Sequence, residues 1–328
     1  MNFAKNNLPK IYAGAMSKEI VDACINYSNQ YGQPIGLIPS RRQVDYDRGY
    51  CNNWTTEEFA SYVNNRCLLQ RDHAGPYQGK DMDNGLVSLT DDAKYFDLIH
   101  VDIFKKQESI FNCAKLTIEY IKHCYAINPQ LGFEIGTEEG IFPYSVANAD
   151  IFLDLVREGL TSDEFSRVIY GVIQGGTKLL EDKNSGVYDK NKAEDMISLM
   201  SVYGLLPKEH NADYQDINII KEKFSMGLAA INLAPEFSMI QNLVALNCLK
   251  SNPLAYEVAF SLCLNSKTWV KWVGADFDPN AEKDKLMSIC LHYLYSNLRM
   301  RELLLPYQPE ITAETTRRIF DKLNTFFD

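Results

Sequence analysis

The run CLLQRDHAGP, residues 67–76, decides how the fold of this chain is interpreted. It begins as a short apolar segment and ends on an acid, an imidazole and a Gly-Pro break. A strand that stops on titratable residues usually carries a site at its end. The alternative is a buried strand whose last residues only hydrogen-bond to a loop, because histidine is often structural.

The same design recurs along the chain. The runs LIHVD, FEIGTEE and LLPKEHNAD, at residues 98–102, 133–139 and 205–213, each pass from apolar to titratable residues. Segments such as Ser17–Tyr27 and Ser109–Tyr125 have the apolar spacing of helices. Strands that alternate with helices predict an α/β fold, specifically a closed parallel (β/α)8 TIM barrel with additional C-terminal helices. A doubly wound open sheet is the competing architecture, and the lack of a Gly-rich turn after the first strand weakens it.

The predicted strands and domains can be placed by residue number. The strands are expected at residues 11–16, 35–38, 67–76, 98–104, 132–138, 168–176, 205–214 (with its loop) and 224–229. From residue 235 onward the pattern is mostly helical. We therefore expect a TIM-barrel domain at residues 1–235 and a helical C-terminal extension, packed on the barrel, at residues 236–328.

Composition and charge exclude several classes of protein. The chain has 328 residues, a formal net charge of -10 and a pI of about 5.1, which argues against non-specific binding to nucleic acid. It contains no run of 18 apolar residues, and Met1–Lys5 lacks an apolar signal core, so no membrane association is expected. The eight cysteines form no CxxC pair, which indicates a reduced, cytoplasmic protein without disulfides.

Three strand ends predict a metal site. His73, Glu138 and His210 end the third, fifth and seventh strands, and the carboxyl ends of barrel strands carry the active site. Two imidazoles and a carboxylate form a three-ligand set that leaves a position open for substrate. The alternative is that these are separate polar strand ends. Nearby carboxylates are candidates for proton transfer, and they are Asp72, Asp102 and Asp213.

Further polar residues at the barrel mouth are candidates for substrate binding. Arg41, Arg42 and Gln43 follow the second strand, and a guanidinium matches a phosphate or a carboxylate. The alternative for these arginines is a surface salt bridge with Asp45 or Asp47. Two weaker candidates are Gln174, before a Gly-Gly pair that could bind an anion, and Gly227, in the predicted eighth strand. His123 and His292 are interpreted as packing residues, since each lies in an apolar segment.

Taken together, these motifs resemble the so-called non-catalytic subunit family of class II tagatose-bisphosphate aldolase and the related tagatose and fructose 6-phosphate 4-epimerases. The resemblance covers about residues 10–250, in Gln43-Val44, Gly49-Tyr50, Thr55–Phe59, Asp72–Pro76, Ile99–Asp102, Ile135–Glu138, Val172–Gly175, His210, Asp213–Gln215 and Met226-Gly227. It implies a class II aldolase-like barrel in which His73, Glu138 and His210 bind a divalent metal, with Zn²⁺ the first choice. It also implies that Asp72 is the acid/base.

The resemblance implies an activity and leaves some points open. The expected activity is a metal-dependent aldolase or 4-epimerase that acts by aldol and retro-aldol chemistry on a phosphorylated or nucleotide-linked ketose. The alternative is a non-catalytic subunit that stabilises a class II aldolase complex, so a homo-oligomer and an aldolase partner are both considered. Where the family has a Glu and a Ser-Asn pair, this chain has Ile38, Arg41 and Arg42, which indicates a more anionic or differently placed substrate group. Glu138 and Glu139 both remain candidates for the carboxylate ligand.

Overall fold

The computed structural model describes residues 8–107, 109–180 and 182–327. Met1–Lys5 lies outside the described residues, so the expectation about a signal core stays a prediction. Within the described ranges, no helix is long and apolar enough to cross a membrane.

Eight parallel strands close into a barrel, which confirms the predicted (β/α)8 fold. The strands are β1 Ile11–Ala13, β2 Ile35–Leu37, β3 Leu68–Ala74, β4 Leu98–Val101, β5 Gly132–Ile135, β6 Val168–Ile173, β7 Leu206–Glu209 and β8 Ala230–Leu233. Strands that are consecutive in the chain are neighbours in the barrel, and β8 closes it by pairing with β1. A short antiparallel hairpin, Leu179–Leu180 with Lys183–Asn184, follows β6.

Helices surround the barrel and continue into the C-terminal region. Those of the barrel are α1 Lys18–Tyr31, α2 Thr56–Val63, α3 Leu86–Tyr95, α4 Ile110–Ile127, α5 Val146–Gly159, α6 Ser162–Phe165, α7 Lys190–Val202 and α8 Ile217–Ser225. Those that follow β8 are α9 Pro235–Lys250, α10 Pro253–Ser266, α11 Lys283–Cys290, α12 Leu298–Leu304 and α13 Gln308–Phe327. Short 3-10 turns lie at Val270–Trp272, Leu291–Leu294 and Leu305–Tyr307.

The predicted position of the eighth strand is wrong. Residues 224–229 were expected to form it, but they cover the end of α8 and the turn that follows, and the strand begins at Ala230. The error arises because α8, capped by Asp216, is a short amphipathic helix whose last apolar residues run directly into the apolar strand. Gly227 lies in this turn with φ +108°, on the amino-terminal side of β8. It is therefore at the end of the barrel opposite the strand ends that were expected to bind substrate.

The C-terminal helices have a core of their own. A second cluster of buried apolar residues joins α9 to α12, with Leu249, Phe260 and Leu286 among its members. α13 returns to the barrel, where Ile319 and Leu323 are fully buried in the main core. The extension is thus held on the barrel at both of its ends, and this places its middle part over the strand ends.

Side chains from alternate strands fill the barrel interior in layers. One fully buried polar layer comes from β1, β3, β5 and β7, and it consists of Tyr12, Gln70, Glu134 and Lys208. The Nζ of Lys208 donates to Gln70 Oε1 and to Glu134 Oε2, each at 2.8 Å. The same ammonium lies 3.7 Å from the centre of the Tyr12 ring. This layer lies below the strand ends and supports the side chains there.

Candidate metal centre and active-site cavity

Three imidazoles meet at the carboxyl ends of the strands. His73 ends β3, His100 lies in β4, and His210 follows β7. The ring centres of His73 and His100 are 5.0 Å apart, those of His73 and His210 are 5.1 Å apart, and those of His100 and His210 are 4.6 Å apart. The barrel therefore brings three of the chain's five histidines into one triangle.

One nitrogen of each imidazole is held by an oxygen acceptor. His73 Nδ1 lies 2.6 Å from a carboxylate oxygen of Asp102. His100 Nε2 lies 3.0 Å from the carbonyl oxygen of Gly136, and His210 Nε2 lies 2.5 Å from Glu134 Oε1. Such partners fix the tautomer of a metal-binding histidine. The other nitrogen of His73 and of His210 is left as a ligand atom, whereas Nδ1 of His100 also accepts a long hydrogen bond from the backbone N–H of His73 at 3.3 Å.

The remaining nitrogens face the carboxylate of Asp72. Its Oδ1 lies 3.9 Å from the Nδ1 atoms of both His100 and His210, and its Oδ2 lies 3.8 Å from His73 Nε2. Burial alone would raise the pKa of Asp72, but the charges of His73, His210 and His100 hold that pKa well below its ordinary value. Asp72 is therefore ionised at neutral pH, in the middle of the three imidazoles.

The same carboxylates act on His73. Burial alone would lower the pKa of its imidazole, but the charges of Asp72 and Asp102 raise that pKa to about 10. By contrast, burial lowers the pKa of His210 below its ordinary value despite the nearby Glu134. The cluster thus has enough negative charge to attract a cation.

The donor set fits a divalent cation. Ligand atoms of Asp72, His73, His100 and His210 all lie within 4.8 Å of one another. Ligand atoms at about 2.0–2.1 Å from a zinc ion are roughly 3–4 Å apart, so small side-chain movements would complete the coordination. Three imidazoles are also a set that catalytic zinc uses with a fourth position open to water or substrate.

An irregular backbone at the end of β3 brings two consecutive side chains into this cluster. Successive residues of a regular strand face opposite sides. The pairing of β3 with β4 shifts register between Arg71 and Ala74, and His73 has φ +47°. Arg71, just before the bend, is fixed by two contacts of 2.8 and 2.6 Å to the carboxylate of Asp92, where both side chains are fully buried. The residue just before the bend is therefore firmly held in place.

The cluster opens into a cavity of about 340 Å³. Asp72, His73 and Glu138 line it from the barrel. The extension contributes Lys271, Trp272, Ser288, Ile289, His292 and Tyr293. A cavity of this size accommodates a small ligand. It lies where (β/α)8 barrels carry their active sites, at the carboxyl ends of the strands.

Neither a protein-family model nor a curated protein matches the sequence. Among solved structures, a probable tagatose 6 phosphate kinase from Sinorhizobium meliloti 1021 aligns with a TM-score of 0.78 and 16% identity, over 97% of this chain and 99% of that chain. A fructose-bisphosphate aldolase from Campylobacter jejuni aligns with a TM-score of 0.56 and 12% identity, over 99% of this chain and 91% of that chain. The YdjI aldolase from Escherichia coli K12 aligns with a TM-score of 0.52 and 11% identity, over 92% and 91%. This chain has the same barrel fold as these solved structures.

The fold implied by the sequence resemblance is therefore confirmed, while the residue roles stay predictions at this level of identity. In the barrel, Glu138 Oε2 lies 3.8 Å from His73 Nε2 and accepts a 2.6 Å hydrogen bond from the amide of Asn211. Glu139 accepts from the N–H of Gly176 at 2.9 Å and from Lys192 at 2.8 Å. Of the two neighbouring acids, Glu138 is thus the one beside the imidazoles, although it lies outside the four-residue ligand group.

The three carboxylates that were predicted to transfer protons have different surroundings in the barrel. Asp72 lies at the centre of the imidazoles, and Asp102 contacts Nδ1 of His73, on the side of the ring away from Asp72. The structure places Asp213 elsewhere, because its Oδ1 accepts the N–H groups of Ala234 and Glu236 at the start of α9, at 2.9 and 2.8 Å. Burial raises the pKa of Asp213 to about 7 although these two hydrogen bonds oppose the shift.

Only some of the residues that were predicted to bind substrate line the cavity. Arg42 and Gln43 line the cavity. Arg41 does not, because its guanidinium is paired with Asp45 at 3.0 Å and with Asp83 at 2.7 Å. The alternative of a salt bridge with Asp45 therefore applies to it, although the pair is buried and not at the surface. Gln174 is buried, and its amide donates to the backbone carbonyls of residues 137 and 142, which fixes the loop after β5. Gly227, as described above, lies on the opposite end of the barrel.

Sequence reasoning missed two residues of the cluster, and it missed that a third residue, His292, lies at the cavity. His100 was not assigned a role, although it lies two residues before Asp102 and so on the same face of β4. Asn232 of β8 donates to Asp72 Oδ1 at 3.5 Å, and no sequence signal marked it. His292 packs on Tyr293, with ring centres 3.9 Å apart, as expected of a packing residue, but it also lines the cavity.

Proposed function

We propose that the chain is a metal-dependent enzyme of carbohydrate metabolism, an aldolase or 4-epimerase that acts on a phosphorylated or nucleotide-linked ketose. One observation carries the proposal. His73, His100 and His210 each have one nitrogen held by an oxygen acceptor and the other directed towards Asp72. A scaffold protein would not require this arrangement, because buried imidazoles without a ligand are more simply replaced by apolar side chains. The aldolase fold of the chain supports the same class of chemistry.

The metal ligands in this proposal are His73, His100 and His210, and the preferred ion is Zn²⁺. When bound, the ion would polarise the ketose carbonyl and stabilise the enediolate that carbon–carbon cleavage produces. Glu138, hydrogen-bonded to Asn211, lies at the cavity edge of the cluster and would accept a substrate hydroxyl proton or hydrogen bond. This role differs from the ligand role that the sequence resemblance implies.

Asp72 is the residue proposed to move a proton. Its side chain is 15% exposed, lines the cavity and is ionised, so it can take a proton from a substrate carbon or hydroxyl at Oδ2. Asp102 is fully buried and would not touch substrate; its role is to orient His73. Asp213 is proposed as a structural cap of α9 and no longer as an acid/base.

We further propose a cytoplasmic location, because all eight cysteines are buried and none is in a disulfide. No specific observation favours the alternative of a non-catalytic stabilising subunit.

Metal analysis of the purified protein tests the proposal. We expect about one divalent ion per chain, and a loss of most of it in His73→Ala, His100→Ala and His210→Ala. His123→Ala is the matched control, since His123 lies on α4 and bonds to Thr90 at 2.8 Å. A protein without stoichiometric metal, or three variants that bind as much metal as the control, would sink the proposal.

The reaction itself is tested with the metal-loaded protein. It would be incubated with fructose 6-phosphate and tagatose 6-phosphate in deuterated water and followed by NMR. Interconversion of the two sugars, or release of three-carbon products, would support the epimerase or aldolase assignment respectively. Deuterium at the carbon next to the carbonyl would show that an enediolate exchanges with solvent. No change in any of several ketose phosphates, with metal present, would count against the enzyme.

A further inference from the structure

The place where (β/α)8 barrels commonly bind phosphate is occupied by carboxylates in this chain. That place is formed by the loops after the seventh and eighth strands and by a helix N-terminus. Here Asp213 takes the N–H groups of Ala234 and Glu236, at 2.9 and 2.8 Å. Glu236 in turn accepts the N–H of Tyr214 at 3.0 Å. A substrate phosphate would meet two acids there and would find these N–H groups already bonded.

Positive charge is concentrated in a different wall of the cavity. Arg42 follows β2, Lys105 follows β4 and Lys271 belongs to the turn at Val270–Trp272 of the extension, and all three line the cavity. None of them forms an ion pair with any residue that the structure describes. Lys105 donates to a backbone carbonyl, that of Tyr77, at 2.6 Å. The ammonium of Lys271 lies 4.5 Å from the centre of the Trp272 ring.

These cations are close enough to act on one another. Partial burial and then the charges of Arg42 and Lys105 lower the pKa of Lys271 to about 8. Partial burial and the charge of Arg42 also lower the pKa of Lys105. Cations that repel one another in a cavity are stabilised when an anion binds.

A buried, unpaired hydrogen-bonding group lies in the same wall. His292 is 3% exposed and lines the cavity. Its Nδ1 lies 3.2 Å from the side-chain amide of Asn242, whereas its Nε2 is buried and has no partner among the described residues. Burial and the charge of Lys271 lower the pKa of His292 to about 3, so the ring is neutral. Because Nδ1 accepts from Asn242, Nε2 carries the hydrogen, and a buried N–H of this kind requires an acceptor.

We propose that the cavity has a second subsite, which binds the phosphoryl group of the substrate and is formed by Arg42, Lys105, Lys271 and His292. Three cations and one N–H donor match the charge and the several oxygens of a phosphate monoester better than those of a single carboxylate. The inference rests on the proposed function, because it concerns the charged end of the same substrate. It adds that the helical extension helps to select that substrate, since two of the four residues belong to it.

Titration calorimetry with inorganic phosphate tests the subsite without any turnover. Phosphate should bind the full-length protein, and Lys271→Gln should weaken binding about tenfold or more. Lys267→Gln is the matched control, because Lys267 is an exposed lysine of the same extension outside the cavity. His292→Phe retains the ring packing and removes the N–H donor, and it should weaken binding several-fold. Thermal unfolding of each variant shows whether it is folded.

Two further variants separate this proposal from the metal site and from the usual phosphate position. His73→Ala should lose metal but bind phosphate as the unaltered protein does. If it does so while the enzyme assay fails, the proposed function is wrong and the subsite stands. The subsite is overturned if the protein does not bind phosphate, or if Lys271→Gln binds it as tightly as Lys267→Gln. It is also overturned if phosphate affinity responds to Asp213→Asn and not to Lys271→Gln.

Discussion

His73 and Asp102 are joined by a 2.6 Å contact between imidazole Nδ1 and carboxylate Oδ2, and this contact determines what His73 can do. Asp102 is fully buried, whereas the His73 side chain is 19% exposed. The carboxylate therefore holds the imidazole from the protein side and leaves Nε2 towards Asp72 and the cavity. An imidazole restrained in this way is oriented before any ligand arrives, which reduces the cost of binding.

We expect Asp102→Asn to lower metal affinity by roughly 10–100-fold, the usual effect of losing a carboxylate behind a ligating histidine. The Asn side chain can donate an N–H to Nδ1 of His73. This would favour the tautomer that carries its hydrogen on Nε2, the nitrogen needed as a ligand atom. Competition with a fluorescent chelator measures the change. Asp163→Asn, on an exposed surface of α6, is the control and should have no effect. Equal affinities in the two variants would show that Asp102 does not position the ligand.

Arg71→Met should destabilise the protein by about 3–5 kcal/mol, because it leaves the carboxyl group of Asp92 buried without its partner. Chemical denaturation gives the free energy of unfolding. Arg157→Met is the matched control, since Arg157 pairs with Asp154 at 2.5 Å on an exposed face of α5. The control should change stability by less than about 0.5 kcal/mol. A similar small loss in both variants would contradict the structural role given to Arg71.

The buried Lys208–Glu134 pair should behave as a unit. Burial opposes ionisation of Glu134, but the charge of Lys208 and the imidazoles of the cluster hold its pKa well below the ordinary value. Lys208→Met alone should therefore cost about 3–5 kcal/mol. The double variant with Glu134→Gln should recover part of this loss, since no unpaired charge remains. Denaturation of the single and double variants measures the coupling, and a fully additive loss would contradict it.

Gly36→Ala should destabilise the barrel by about 1–3 kcal/mol through overpacking. A Cβ built at this position would lie 2.3 Å from Cδ1 of Tyr12, which is fully buried between β1 and its neighbours. Gly274→Ala is the control, because a Cβ there meets nothing within 4 Å. Thermal unfolding should separate the two variants clearly. An unchanged midpoint in Gly36→Ala would show that the Tyr12 ring moves aside at little cost.

Phosphate binding should weaken as the pH rises through the pKa of Lys271. In the free protein this pKa is lowered to about 8, by partial burial and by Arg42 and Lys105. The other groups beside Lys271, namely Trp272, His292 and Tyr293, carry no charge that would compensate. Binding requires the protonated ammonium and raises its pKa, so the contribution of Lys271 to affinity is lost as the pH rises through about 8 and above.

The measurement compares phosphate affinity at pH 8 and pH 10, where phosphate itself stays mostly dianionic. The unaltered protein should lose roughly tenfold or more in affinity. Lys271→Arg should lose less, because a guanidinium stays charged over this range. Parallel losses in the two proteins would assign the pH dependence to another group, with Lys105 the first to examine.

Much of the fold follows from local patterns in the chain. Apolar runs that end on acids and imidazoles, separated by helical spacing, predict the barrel and the position of seven strands. The eighth was displaced because a short helix and the strand after it form one continuous apolar stretch. His73 and His210 could be predicted as site residues because they lie at strand ends. Glu138 and Glu139 could not be distinguished, because neighbouring residues differ in the direction of their side chains, which the sequence does not show.

The sequence by itself determined that titratable residues stand at strand ends, and a closed parallel barrel brings all such ends to one rim. Only the tertiary structure decided which of them meet. His100 joins His73 and His210 because β4 and the irregular end of β3 turn their side chains inward at the same height. Arg41 and Asp213 do not line the cavity, because each is bound by a partner that is distant in the chain. The partner is Asp83 for Arg41 and the start of α9 for Asp213. The physical reason is that a side chain's direction and its competing partners depend on segments that are close only after folding.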